Sequence, residues 1–131
     1  MNEPANIQAM LKAHTIAVVG LSDDPAKPSH YVSAYLKRAG FRILPVNPSL
    51  GSVLNETCFA SLTDLPLKPD LVNVFRLPRA IPGIVEEMIA LGLTNLWVQQ
   101  GIVNLEAAAR AEQASIRVVM DRCIMVEHQR L

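Results

Sequence analysis

Five short runs of apolar, largely β-branched residues recur along this chain, and they restrict its fold more than any other feature. They are Thr15–Leu21 (TIAVVGL), Phe41–Val46 (FRILPV), Asp70–Phe75 (DLVNVF), Asn95–Gln99 (NLWVQ) and Ile116–Met120 (IRVVM). Most are apolar almost without interruption rather than alternating, the pattern of parallel strands covered on both faces. Helical periodicity fills the gaps. Val32, Tyr35, Leu36 and Ala39 follow Ser29 at i, i+3, i+4, i+7 spacing, with Ser29 as the expected N-cap and Gly40 closing the helix. A second helix is expected over Ile81–Leu91, stopped by Gly92, and a third from the N-cap Asn104 through the Ala-rich LEAAARAEQA. Short flanking helices are expected over Asn6–Lys12 and Asp121–His128. The segment Asn47–Leu67 breaks the rhythm, with a turn at NPSLG and a helical turn near ASLTDLP. Repeated β-α-β order forces a parallel sheet. The expectation is an α/β, Rossmann-like three-layer fold: about five parallel strands with helices on both faces, in one domain spanning residues 1–131.

Composition narrows the function classes. Twelve Lys and Arg balance twelve Asp and Glu, and the cations are scattered singly rather than gathered in a basic stripe. Nucleic acid is therefore not an expected partner. No apolar run approaches the ~18 residues of a membrane span. The N-terminal MNEPANIQAMLKAH lacks the apolar core of a signal peptide. With only Cys58 and Cys123, the expectation is a cytoplasmic protein with reduced thiols.

In an open parallel sheet, ligands bind beyond the carboxyl ends of the strands where strand order reverses. That rule selects the loops Gly20–Pro28, Val46–Gly51, Phe75–Pro78 and Gln99–Ile102. In the first, Gly20 permits a tight turn. The helix opening near Ser29 offers unpaired N–H groups, Ser22 and Ser29 offer hydroxyls, and Lys27 offers a charge suited to phosphate. Ser29 can cap the helix and face an anion at once. The loop is not a G-x-G-x-x-G fingerprint, and PVNPS at the second strand's end has no acid for ribose hydroxyls, which argues against NAD. Arg76 emerges at a strand end beside Phe75 and suits phosphate or adenine. Gln100 and Gly101 provide an amide and a point of close approach, while Trp97 reads as core. No catalytic constellation is evident: His14, His30 and His128 lie on three different elements. DRCIMVEH (Asp121–His128) reads as an ion-paired terminal helix rather than a zinc site, with Asp121 and Arg122 at a strand end. These features indicate a phosphorylated nucleotide without selecting which.

The ordered segments AVVGLSDDPAKPSHYVSAYLKRAGFRILPVNP, DLVNVFRLP, LWVQQGI and VVMDRCIMVEH resemble the stand-alone CoA-binding domain family, related to the N-terminal domain of the succinyl-CoA synthetase alpha subunit. The resemblance implies a domain that binds coenzyme A or an acyl-CoA. Carried onto this chain, it implies a phosphate-loop role for Gly20, Ser22, Pro25 and Lys27. Asn47 and Pro48 would edge the adenosine, Phe75 and Arg76 would line the nucleotide, and Gln100 and Gly101 would lie toward the pantetheine arm. The synthetase has a basic residue after the second strand's proline, where this chain has Ser49 and Leu50. Its ligase activity also needs a second domain bearing a phosphorylated histidine. The expectation is thus a carrier, sensor or subunit module without ligase activity of its own, with a homo-oligomer or partner subunit left open. Two alternatives stand beside it: a small acyl-CoA-handling enzyme using Cys123 or His128, and an NAD(P)-binding module of similar fold.

Overall fold

The strands of the computed structural model, which describes Met1–Leu131, follow the apolar runs closely. They are β1 (Thr15–Val19), β2 (Arg42–Val46), β5 (Leu71–Val74), β6 (Asn95–Val98) and β7 (Arg117–Met120), joined in the order β2-β1-β5-β6-β7. All four pairings are parallel. The fold is the Rossmann-like α/β class expected from the runs.

Five helices cover the sheet: α1 (Pro4–Met10), α2 (Pro28–Arg38), α3 (Ile81–Leu91), α4 (Leu105–Gln113) and α5 (Ile124–Gln129). The strand pleat sorts the core into two halves. Ala17, Val19, Val72, Val74, Leu96, Val98, Val118 and Met120 pack with α3 and α4. Ile16, Val18, Ile43, Leu71, Trp97 and Val119 pack with residues of α1, α2 and α5. Trp97 is fully buried, and its indole N–H donates to the Arg122 carbonyl at 2.9 Å. The helix stops are those expected. Gly92 adopts φ +70° after α3, and Asn104 caps α4 by accepting from the Ala107 amide at 3.0 Å.

Two local expectations are corrected. Ser29 does not cap α2. The N-cap is Lys27, Pro28 holds the first helical position, and Ser29 lies in the first turn, as a proline pre-set for helix entry favours. Within Asn47–Leu67, besides a 3-10 turn at Leu62–Asp64, the chain forms a hairpin of β3 (Ser52–Val53) and β4 (Glu56–Thr57). Leu54 and Asn55 turn it with φ of 53° and 60°, the double positive φ of a type I′ turn.

The strand order positions the site. From β1 the chain crosses outward to β2, then returns over β1 to β5 and continues the other way to β7. The loops leaving β1 and β5 therefore diverge, and the crevice between them is the topological switch point of an open α/β sheet.

Candidate ligand-binding site

Gly20 sits at this switch point with φ +89°. A Cβ there would stand 2.5 Å from the Phe75 carbonyl oxygen and 3.3 Å from Arg76 Cδ. Only glycine lets the ends of β1 and β5 approach so closely. The loop that follows holds its own shape. The Ser22 amide donates to Ser29 Oγ, the Asp24 amide to Ser22 Oγ and the Ala26 amide to Asp24 Oδ1, each at 3.0 Å. Asn47 braces the loop from β2, its Nδ2 donating to the Leu21 carbonyl at 3.0 Å and its Oδ1 accepting from the Ser49 amide at 2.9 Å. Within this frame the amides of Leu21, Asp23 and Ser29 donate to no protein acceptor. Ser29 lies in the first turn of α2, at the positive end of that helix, and the Ser22–Ser29 bond holds the β1 end of the loop beside it.

A cavity of about 650 Å³ opens beside the loop, within the range of small-molecule sites. Its lining follows the sheet. Gly20, Ser22, Lys27 and Ser29 lie at the β1 end, Phe75 and Arg76 after β5, Gln99, Gln100 and Ile102 after β6, and Cys123, Met125 and Val126 after β7. Two cations line the cavity and no carboxylate does. Neither Lys27 nor Arg76 is ion-paired. The chain's ion pairs are Lys37–Glu56, Arg110–Glu86, Arg130–Glu127 and those of the Met1 amine with Glu3 and Glu112. Neither acid of the loop lines the cavity. Asp24 is used in the turn, and the Asp23 charge is felt at Cys58, whose thiol is pushed up first by burial and then by that carboxylate. The cavity thus runs from a cationic end at the β1 loop, β5 and the start of α2 to an apolar end at α5.

Of the residues singled out from sequence, Gly20, Ser22, Lys27, Ser29, Phe75, Arg76 and Gln100 line this one cavity, whereas Pro25, Asn47, Pro48 and Gly101 do not. Pro25 is exposed on the outer loop, and Pro48 is exposed beyond β2. The Gly101 amide donates to Asp121 Oδ1 at 2.7 Å, which ties the ends of β6 and β7. Cys123 reaches the cavity but His128 does not. Its Nδ1 lies 2.6 Å from the Tyr35 hydroxyl, and its ring packs edge-on to Phe41. Sequence reasoning missed the wall from Met125 and Val126, because α5 was read only as a packing element. It placed Gln99 at the end of a buried strand and the start of a selected loop, but assigned the ligand contact to Gln100.

The CoA binding domain model matches residues 14–129. The chain belongs to that family. A Bacillus subtilis protein, YneT, is 41% identical over 125 residues, covering 95% of this chain and 93% of its own. The ADP-forming acetate–CoA ligase II of Archaeoglobus fulgidus is 30% identical over 100 residues, 75% of this chain but only 15% of the ligase. Family membership therefore extends to one part of a much larger enzyme. Among solved structures, a Thermus thermophilus protein superposes with TM-score 0.92 at 43% identity, covering 98% of both chains. A Pyrococcus horikoshii protein gives 0.93 at 35% identity, covering 97% of this chain and 90% of its own.

Proposed function

We propose that this chain binds coenzyme A or an acyl-CoA, with the diphosphate against the Gly20–Ser29 loop and the uncharged arm running past β5 and β6 toward α5. The observation that carries this reading is the charge of the cavity: Lys27 and Arg76 line it, neither is ion-paired, and no carboxylate shares it. Lys27 is exposed and Arg76 half-buried, so both the ammonium and the guanidinium group are open to an anion, which would gain charge-assisted hydrogen bonds there. The free amide of Ser29, which lines the cavity, adds a donor that a phosphate accepts. Family membership supplies the class of anion. The match covers 15% of the ligase relative, and binding is the activity this reading gives to the domain, in a carrier, a sensor or a subunit of a larger assembly in the cytoplasm.

One observation favours a second reading. Cys123 lines the apolar end of the cavity, so its thiolate would meet an acyl-CoA carbonyl, form an acyl-cysteine and release the CoA thiolate. Incubation with an acyl-CoA followed by intact mass measurement tests this. A shift by the acyl mass supports it, and an unchanged mass with retained binding leaves the module reading alone.

A crystal structure with CoA tests the main proposal. The diphosphate is expected within hydrogen-bonding distance of the Ser29 amide and of Lys27 or Arg76. A diphosphate seated at another edge of the molecule would overturn it.

A further inference from the structure

Asn73 is an anomaly in the sheet. It occupies the middle strand β5 between Val18 of β1 and Trp97 of β6, and it is fully buried. Every other residue of β5 is apolar. Its Oδ1 accepts from Gln99 Nε2 at 2.8 Å, and its own Nδ2 has no partner. A sealed, unsatisfied donor lowers stability, and an apolar residue at this position would carry no such penalty. The one thing Asn73 does is hold the Gln99 amide.

Gln99 is 3% exposed yet lines the cavity. The buried side-chain polar atoms without partners are Ser33 Oγ, Asn73 Nδ2 and Asn95 Oδ1. Gln99 Oε1 accepts from no protein donor and is not one of them, so that oxygen opens onto the cavity. A coupled flip of both amides would preserve their bond and turn the Gln99 NH₂ to the cavity instead. In either orientation an anchored, neutral hydrogen-bonding group lines the cavity together with the apolar side chains of Ile102, Met125 and Val126.

From this geometry we infer that Gln99 is a ligand-binding residue, held in position by Asn73, and that it recognises a neutral amide or hydroxyl on the uncharged arm of the ligand. The inference rests on the CoA reading, in which that arm is a chain of methylenes interrupted by amides. A neutral amide gives phosphate far less than a cation does, whereas it matches another amide in both polarity and direction. Gln99 therefore contributes specificity for ligands that carry the arm, while the loop and its cations grip the phosphates that all CoA-like nucleotides share.

The test compares CoA with adenosine 3′,5′-bisphosphate, which lacks the arm, by calorimetric titration of the full chain. Three variants are used: Gln99→Met, Asn73→Val and the double variant. Removing both amides together leaves no stranded polar group, so the double variant is expected to fold with near wild-type stability. It should bind CoA about fivefold to tenfold more weakly while binding the bisphosphate unchanged. Asn73→Val alone should weaken CoA by a smaller factor, through loss of positioning. A double variant that binds CoA as the wild type does, or loses both ligands equally, overturns the inference and makes the pair a structural feature. Wild-type protein that binds neither ligand overturns the CoA reading beneath it.

Discussion

Replacing Gly20 by alanine perturbs the point on which both the sheet and the proposed site depend. Two costs add. Alanine at φ +89° pays the left-handed penalty that glycine escapes, about 1–2 kcal/mol. The new Cβ would also lie 2.5 Å from the Phe75 carbonyl oxygen. That oxygen belongs to backbone tied to β1, since the Phe75 amide donates to the Val19 carbonyl at 2.8 Å, so it cannot swing aside as a side-chain tip would. Opening this contact is an overpacking strain of about 1–3 kcal/mol. The expected loss is about 2–5 kcal/mol, a large share of a domain's usual stability of about 5–15 kcal/mol. Urea unfolding followed by circular dichroism measures it, with an unchanged slope confirming that the same surface is exposed. Gly83→Ala is the control. Gly83 lies on the exposed side of α3 with nothing within 4 Å of a built Cβ, so alanine there should stabilise by about 0.4–1 kcal/mol. A Gly20→Ala protein within about 0.5 kcal/mol of wild type, below the size of either term, would refute the reasoning, because it would show that the β1 and β5 ends separate freely.

The remaining predictions concern charge, capping and thiol ionisation. Lys27→Ala and Arg76→Ala should each weaken CoA by about 1.5–3 kcal/mol if each makes a charge-assisted bond, and raising the salt concentration should shrink the difference; titration that finds both unaffected moves the anion site elsewhere. Asn104→Ala removes the α4 cap together with the bond from its Nδ2 to the Pro78 carbonyl at 2.9 Å. It should lower stability by about 0.5–2 kcal/mol, read from the shift in urea midpoint. Cys58, whose thiol is raised by burial and by Asp23 above its ordinary value of 9.0, should give a pH-dependent stability term. Below that value both folded and unfolded chains keep the proton. Above it the unfolded chain ionises first, so stability falls with rising pH until the folded thiol also ionises. Cys58→Ser should flatten that decline in alkaline urea titrations, and an identical slope in both proteins would contradict the assignment.

The sheet was legible because parallel strands buried on both faces leave near-continuous apolar runs, and no other element of this chain does. The hairpin at Ser52–Thr57 was not, since two-residue strands carry no periodicity and its turn is Leu54–Asn55 rather than an Asn-Gly pair. The start of α2 shows a competition between local signals. Ser29 looked like the cap, but Pro28 at the first helical position moved the cap to Lys27 and left the serine hydroxyl to bind the Ser22 amide instead. The loop residues of the cavity were found because strand ends and helix starts are written locally. The Asn73–Gln99 pair and the wall from α5 were not. Asn73 and Gln99 are neighbours only through the pairing of β5 with β6, and Met125 and Val126 reach the cavity only because β7 is placed beside β6.

Calorimetric titration of the purified chain with CoA, dephospho-CoA and NAD tests the central claim most directly, since the three share an adenosine diphosphate and differ in the 3′-phosphate and in what the diphosphate carries. CoA is expected to bind most tightly and NAD most weakly. NAD binding as tightly as CoA, or a protein indifferent to all three, would contradict the account.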